Sequence, residues 1–103
     1  MEASLDKEGY LLELDRWDPD IAAELALREG LSLTADHWAI IDILREFYSE
    51  TGVSLSMRPL VKLVAARLGS SKGNSIYLLS LFPGNPAKLA AKVAGLPRPA
   101  NCL

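Results

Sequence analysis

A chain of 103 residues, half of them apolar and 23% charged, has room for one domain with a single modest core and is too apolar for a disordered segment. One cysteine excludes a disulfide framework and a cysteine-rich metal site. The formal charge of -2 hides a division: residues 1–50 hold all thirteen acids against four cations, a net of -9, whereas residues 51–103 hold seven cations and no acid, a net of +7. That split suggests an electropositive surface that could steer an acidic partner or a nucleic acid. The alternative is that the two halves fold against each other and cancel.

The start, Met1-Glu2-Ala3-Ser4-Leu5-Asp6-Lys7-Glu8, is acidic and lacks the basic-then-apolar layout of a signal peptide. The densest apolar run, Ile76-Tyr77-Leu78-Leu79-Ser80-Leu81-Phe82, falls far short of a membrane span. A reducing cytoplasm is the expected location, with no cofactor and no metal. Ser4-Leu5, Asp6 to Gly9 and Tyr10-Leu11-Leu12 read as a small hairpin turning on Gly9. Asp18-Pro19-Asp20 opens a helix: Asp18 can cap, Pro19 suits the first position and Asp20 the positive end of the dipole. It runs to Glu29 and stops at Gly30.

Thr34 caps the next helix, expected from about Ala35 to Glu50. Its polar residues Asp42, Arg45, Glu46 and Ser49 fall on one narrow stripe, so the helix is expected to be wrapped by others as the central core element. His37, three residues after Thr34, reads as a capping or packing residue, because no second histidine or nearby cysteine accompanies it. Trp17, Trp38, Tyr48 and Tyr77 read as core aromatics with one polar atom at the surface. A third helix spans Met57 to Leu68 with Ser56 as cap; Arg58 and Lys62 share one face, and Leu60, Val61, Val64 and Leu68 turn inward. After the turn Gly69 to Gly73, a short apolar helix covers Asn74 to Phe82, and Pro83 to Pro86 breaks it. The last helix, Pro86 to Ala94, turns Leu89 and Val93 inward and Lys88 and Lys92 outward.

Gly95 ends that pattern, and Leu96-Pro97-Arg98-Pro99-Ala100-Asn101-Cys102-Leu103 follows. Its two prolines cannot continue a helix and favour a polyproline-like, solvated arm, with a reach on the order of 20 Å at ~3.1 Å per residue. A thiol near a chain end is placed to enter another protein's pocket. The plain alternative is a cysteine acting as a small hydrophobe. The expected architecture is mainly α: a single-domain orthogonal bundle of about five helices over 1–94 with an N-terminal β-hairpin, and a mobile arm over 95–103.

Several blocks of this sequence resemble the TusE/DsrC family of sulfur carriers. They are Thr34-Ala35-Asp36-His37-Trp38 with Arg45 and Phe47-Tyr48; Arg58 with Leu60-Val61-Lys62; Lys72-Gly73-Asn74-Ser75 with Tyr77-Leu78 and Leu81-Phe82-Pro83; Pro86-Ala87-Lys88; and Ala94-Gly95-Leu96-Pro97-Arg98-Pro99 with Cys102. The resemblance covers nearly the whole chain and implies a helical domain with a small N-terminal hairpin and a mobile arm. It also implies that Cys102 carries sulfur as a persulfide. DsrC proteins proper have a second cysteine where this chain has Ala91, so the resemblance leans towards TusE, whose relay ends in 2-thiolation of the tRNA wobble uridine. Its implied partners are a TusBCD-like donor complex and an MnmA-like tRNA thiouridylase. The chain departs from the family pattern in a late start that omits much of the first strand, in Leu55 where many members have proline, and in the order Gly84-Asn85.

A free thiol with pKa ~8.5 is only a few per cent thiolate at neutral pH. Arg98 would favour the thiolate and the Leu103 carboxylate oppose it. Arg58, Lys62, Lys72, Lys88, Lys92 and Arg98 are the candidate partner-binding cations. Two rival functions stay open: a DsrC-like partner or regulator of a sulfite-reductase-type pathway, and a nucleic-acid-binding regulator using the helix–turn–helix of residues 57–82. The second helix of that motif offers Asn74, Ser75 and Ser80 to a base edge but no arginine.

Overall fold

The computed structural model describes residues 4–99. A 3-10 turn at Leu14–Arg16 is followed by five helices: α1 (Pro19–Arg28), α2 (Ala35–Thr51), α3 (Met57–Leu68), α4 (Ser75–Leu81) and α5 (Pro86–Val93). The Asp18 start signal acts as expected, whereas Ser56 precedes α3 without a side-chain capping bond, and Asn74 and Asn85, expected inside a helix and in a break, act as caps. Asp18 caps α1 by accepting from the Ile21 N–H at 2.9 Å, with Pro19 at the first position. Asn74 and Asn85 cap α4 and α5 through the N–H groups of Tyr77 and Lys88.

The N-terminal β-hairpin does not form: among the described residues there is no strand, and Leu5 and Leu11 make one isolated antiparallel bridge. Asp6 directs the backbone there in place of a ladder. Its Oδ1 accepts from the N–H groups of Glu8 and Tyr10, both at 2.9 Å, and its own N–H donates to the Tyr10 carbonyl. The Leu12 N–H donates to the Ser4 carbonyl at 2.9 Å, and the chain then enters the 3-10 turn.

The centre of the bundle is α5 rather than the expected α2. Among the described residues α5 packs against each of α1, α2, α3 and α4. Its buried residues are small (Ala87, Ala90, Ala91, Val93), so four neighbours can approach a helix only about 12 Å long at ~1.5 Å per residue. α2 supplies the large side chains facing it, with Ile40 and Ile41 at 0% exposure and Leu44 at 2%. Phe82, Leu78, Leu60 and Val64 complete the same core.

α3 and α4 meet at Gly73, where an added Cβ would lie 2.2 Å from the Ala65 Cα. Only a residue without a side chain allows the two backbones this approach. His37 fastens the other end of α4. The Thr34 N–H donates to its Nδ1 at 3.1 Å, which leaves the ring proton on Nε2 to donate to the Leu81 carbonyl at 2.7 Å. Its ring also meets Phe82 edge-on at 5.1 Å. His37 is thus the capping and packing residue its position suggested.

Candidate functional site

The segment that leads to Cys102 starts where α5 ends, and the structure holds that start firmly. The last four carbonyls of α5 and that of its cap residue Ala94 need partners, and all five have them. The Ala94 N–H donates to the Ala90 carbonyl, the Leu96 N–H to Ala91 and the Gly95 N–H to Lys92, a Schellman closure with Gly95 at φ +71°. The remaining two are reached from far away in sequence. Trp17 donates its indole N–H to the Val93 carbonyl at 3.0 Å, and the Arg45 guanidinium donates to the Ala94 carbonyl at 2.6 Å.

These two side chains also support each other. The Arg45 guanidinium carbon lies 3.8 Å from the centre of the Trp17 ring, a close cation–π stack. A cation beside the negative end of a helix is favourable as well. Burial pushes the Arg45 pKa below its usual value. Trp17 in turn closes on Gly95: a Cβ there would come within 2.2 Å of the indole Cδ1.

Residues 95–99 consequently do not form the fully solvated arm expected from Gly95 onward. Leu96 is 2% exposed and belongs to the core, and Pro99 is buried. Arg98 is exposed and its Nη1 donates to Glu8, with the closer carboxylate oxygen at 3.0 Å. Both side chains of that pair are about half exposed, so it orients the segment more than it stabilises the fold. Beside Pro97 and Arg98 lies an open cleft of about 280 Å³ lined also by Tyr48, Gly52, Val53 and Ser54.

Cys102 lies outside the described residues.

The six candidate cations divide into two groups. Lys72 pairs with Asp36 at 3.8 Å, Lys92 with Glu29 at 3.4 Å, and Arg98 with Glu8. Arg67 pairs with Glu46 in the same way. The acidic and basic halves therefore do fold against each other. Lys92, expected to point outward, lies across the Tyr10 ring at 5.2 Å. Arg58, Lys62 and Lys88 have no ion pair among the described residues.

The helix–turn–helix offers little to a base edge. The side-chain amide of Asn74 donates to the Ser70 and Ser71 carbonyls while its oxygen caps α4. The exposed face of α4 carries Ile76 and Leu79 beside Ser75 and Ser80, and the Ser80 hydroxyl donates to the Tyr77 carbonyl. Arg45 was expected in a solvated stripe and Trp17 with its polar atom at the surface. Both expectations miss their role, because their acceptors lie 49 and 76 residues away. The visible signal was the Gly95-Leu96 stop itself, which leaves carbonyls to be satisfied by something.

A family model described as "DsrC like protein" matches residues 1–103. The chain is 50% identical over 103 residues to a "Sulfurtransferase TusE homolog" of Haemophilus influenzae, covering all of this chain and 94% of that protein. It is 48% identical over 102 residues to "Sulfurtransferase TusE" of Salmonella typhimurium, covering 99% and 94%. Among solved structures, the DsrC of Allochromatium vinosum superposes with a TM-score of 0.89 at 48% identity, over 98% of this chain and 90% of that one. The oxidised γ-subunit of dissimilatory sulfite reductase (DsrC) from Archaeoglobus fulgidus gives 0.85 at 36% identity, over 98% and 92%.

Proposed function

This chain belongs to the DsrC-like protein family, and on that premise we propose that it is a sulfur-relay protein that carries sulfur as a persulfide on Cys102. The observation that carries the reading is the near-full-length identity of about half to proteins named sulfurtransferase TusE, in a chain whose only cysteine is penultimate. The step is a thiol–persulfide exchange. The Cys102 thiolate attacks the outer sulfur of a donor persulfide; the new S–S bond leaves Cys102-S-SH, and the donor departs as a thiolate. No net oxidation occurs. An acceptor's chemistry then removes the outer sulfur and returns the thiol.

The chain contributes placement rather than acid–base catalysis. Arg98, the nearest cation in sequence, already holds Glu8, which weakens any help it gives to a thiolate. Activation therefore falls to a partner that surrounds the thiol with its own positive groups or helix ends. A TusBCD-like donor and an MnmA-like tRNA thiouridylase fit this scheme, with the wobble uridine as final acceptor.

The likeness to DsrC structures favours a second reading, a partner of a sulfite-reductase-type system. Ala91, 1% exposed inside α5, stands where DsrC proteins proper carry their second cysteine, so a one-thiol chain cannot close an internal disulfide. The relay reading is tested with Cys102→Ser: the variant keeps its fold and passes no labelled sulfur from donor to acceptor. Transfer at the wild-type rate by that variant would refute it.

A further inference from the structure

The starts of α3 and α5 and the end of α4 enclose an open cleft of about 310 Å³, lined by Met57, Leu79, Gly84, Asn85 and Pro86. Leu79 is 41% exposed, and Ile76, three residues earlier on the same face of α4, is 81% exposed. Leu79 thus lines an apolar cleft while partly exposed, and Ile76, one turn away on α4, stands in water.

The charge around the cleft points to its occupant. Four of the seven cations in residues 51–103 are neutralised by carboxylates of the N-terminal half. The three without an ion pair among the described residues are Arg58, next to Met57; Lys62, one turn further along α3; and Lys88, in the first turn of α5 with Pro86. Residues 51–103 contain no acid, so the three helices bounding the cleft carry no carboxylate. Arg58 and Lys88 also occupy first turns, where the helix dipole disfavours a cation. A fold tuned only for stability would place acids there. Unpaired cations at unfavourable positions, beside exposed apolar surface, are the mark of a surface selected for something outside the chain.

We infer that this face docks an acidic protein surface that inserts an apolar side chain into the Met57–Leu79–Pro86 cleft, and that the sulfur donor is the partner that does so. The inference rests on the relay reading only for that choice of partner. The exposed aliphatic pair favours a protein over a nucleic acid, whose phosphates would use the cations and leave Ile76 and Leu79 in water.

The test measures binding of the full chain, in a Cys102→Ser background so that no sulfur chemistry intervenes, to a TusBCD-type donor complex. Ile76→Ser/Leu79→Ser should weaken binding about tenfold or more. Arg58→Glu/Lys62→Glu/Lys88→Glu should lower the association rate by a similar factor and flatten its salt dependence. Lys72→Glu, a cation already paired to Asp36, should stay within about twofold. All substituted side chains lie at the surface, and far-ultraviolet circular dichroism verifies that each variant folds. Unchanged affinity in both variant sets, no binding of the donor to the parent, or displacement of the donor by tRNA alone would overturn the inference. Sulfur transfer to Cys102 is scored separately on the parent chain with its cysteine, so a failed relay and a failed docking face give different results.

Discussion

Gly95→Ala tests whether the seat of the C-terminal segment is as tightly built as its geometry indicates. At φ +71° a side chain costs about 1–2 kcal/mol. The new methyl would also lie 2.2, 2.6 and 2.9 Å from the Cδ1, Cγ and Cβ of Trp17, so the indole must move. Moving it breaks the hydrogen bond to the Val93 carbonyl, worth about 1 kcal/mol, and the stack on Arg45, worth about another 1. The sum is about 3–4 kcal/mol. Gly52→Ala supplies the control, since Gly52 has φ +72° with nothing within 4 Å of its added Cβ and should lose only the backbone part. Urea unfolding of both variants should therefore differ by about 2 kcal/mol, or roughly 8–16 °C in thermal midpoint. Equal losses would show that Trp17 does not close on Gly95.

Three further outcomes follow from the same contacts. In a double-mutant cycle, Trp17→Phe and Arg45→Met should show a coupling of about 0.5–1 kcal/mol by urea unfolding, because each supports the other's hold on α5; simple additivity would deny the stack. His37→Phe should cost about 2 kcal/mol by stranding the Leu81 carbonyl and the Thr34 N–H, while His37→Gln should lose less by keeping the capping contact; equal losses would place the cost elsewhere. Gly73→Ala should lower the thermal midpoint more than Ala66→Gly on the exposed face of α3, because its methyl meets the Ala65 backbone; a smaller loss would mean that α3 and α4 part without cost.

The helices were readable because their signals are local. Asp18-Pro19, Thr34 with His37, and the stop at Gly95 each act within one turn, and the helix ends fall within about two residues of the expected places. What escaped reading was long-range. A narrow polar stripe on α2 suggested a central helix, yet small side chains made α5 the hub, and smallness carries no period that announces a centre. A proline-rich ending suggested a free arm, yet Leu96 supplied the apolar anchor that returns the chain to the core as far as Pro99. The hairpin shrinks to a single bridge for a local reason, since the Asp6 side chain takes the Tyr10 N–H that a ladder would have used. The penultimate cysteine was legible from the sequence, whereas the Trp17–Arg45 clamp at the base of its tether needed coordinates.

The most direct test of the relay is mass analysis of the C-terminal tryptic peptide. That peptide begins at Val93, because Arg98 is followed by proline and resists cleavage. After incubation with cysteine, a cysteine desulfurase and a TusBCD-type donor, the peptide should gain one sulfur atom, lost again on reduction. A peptide that never gains sulfur while the donor is demonstrably charged would contradict the account.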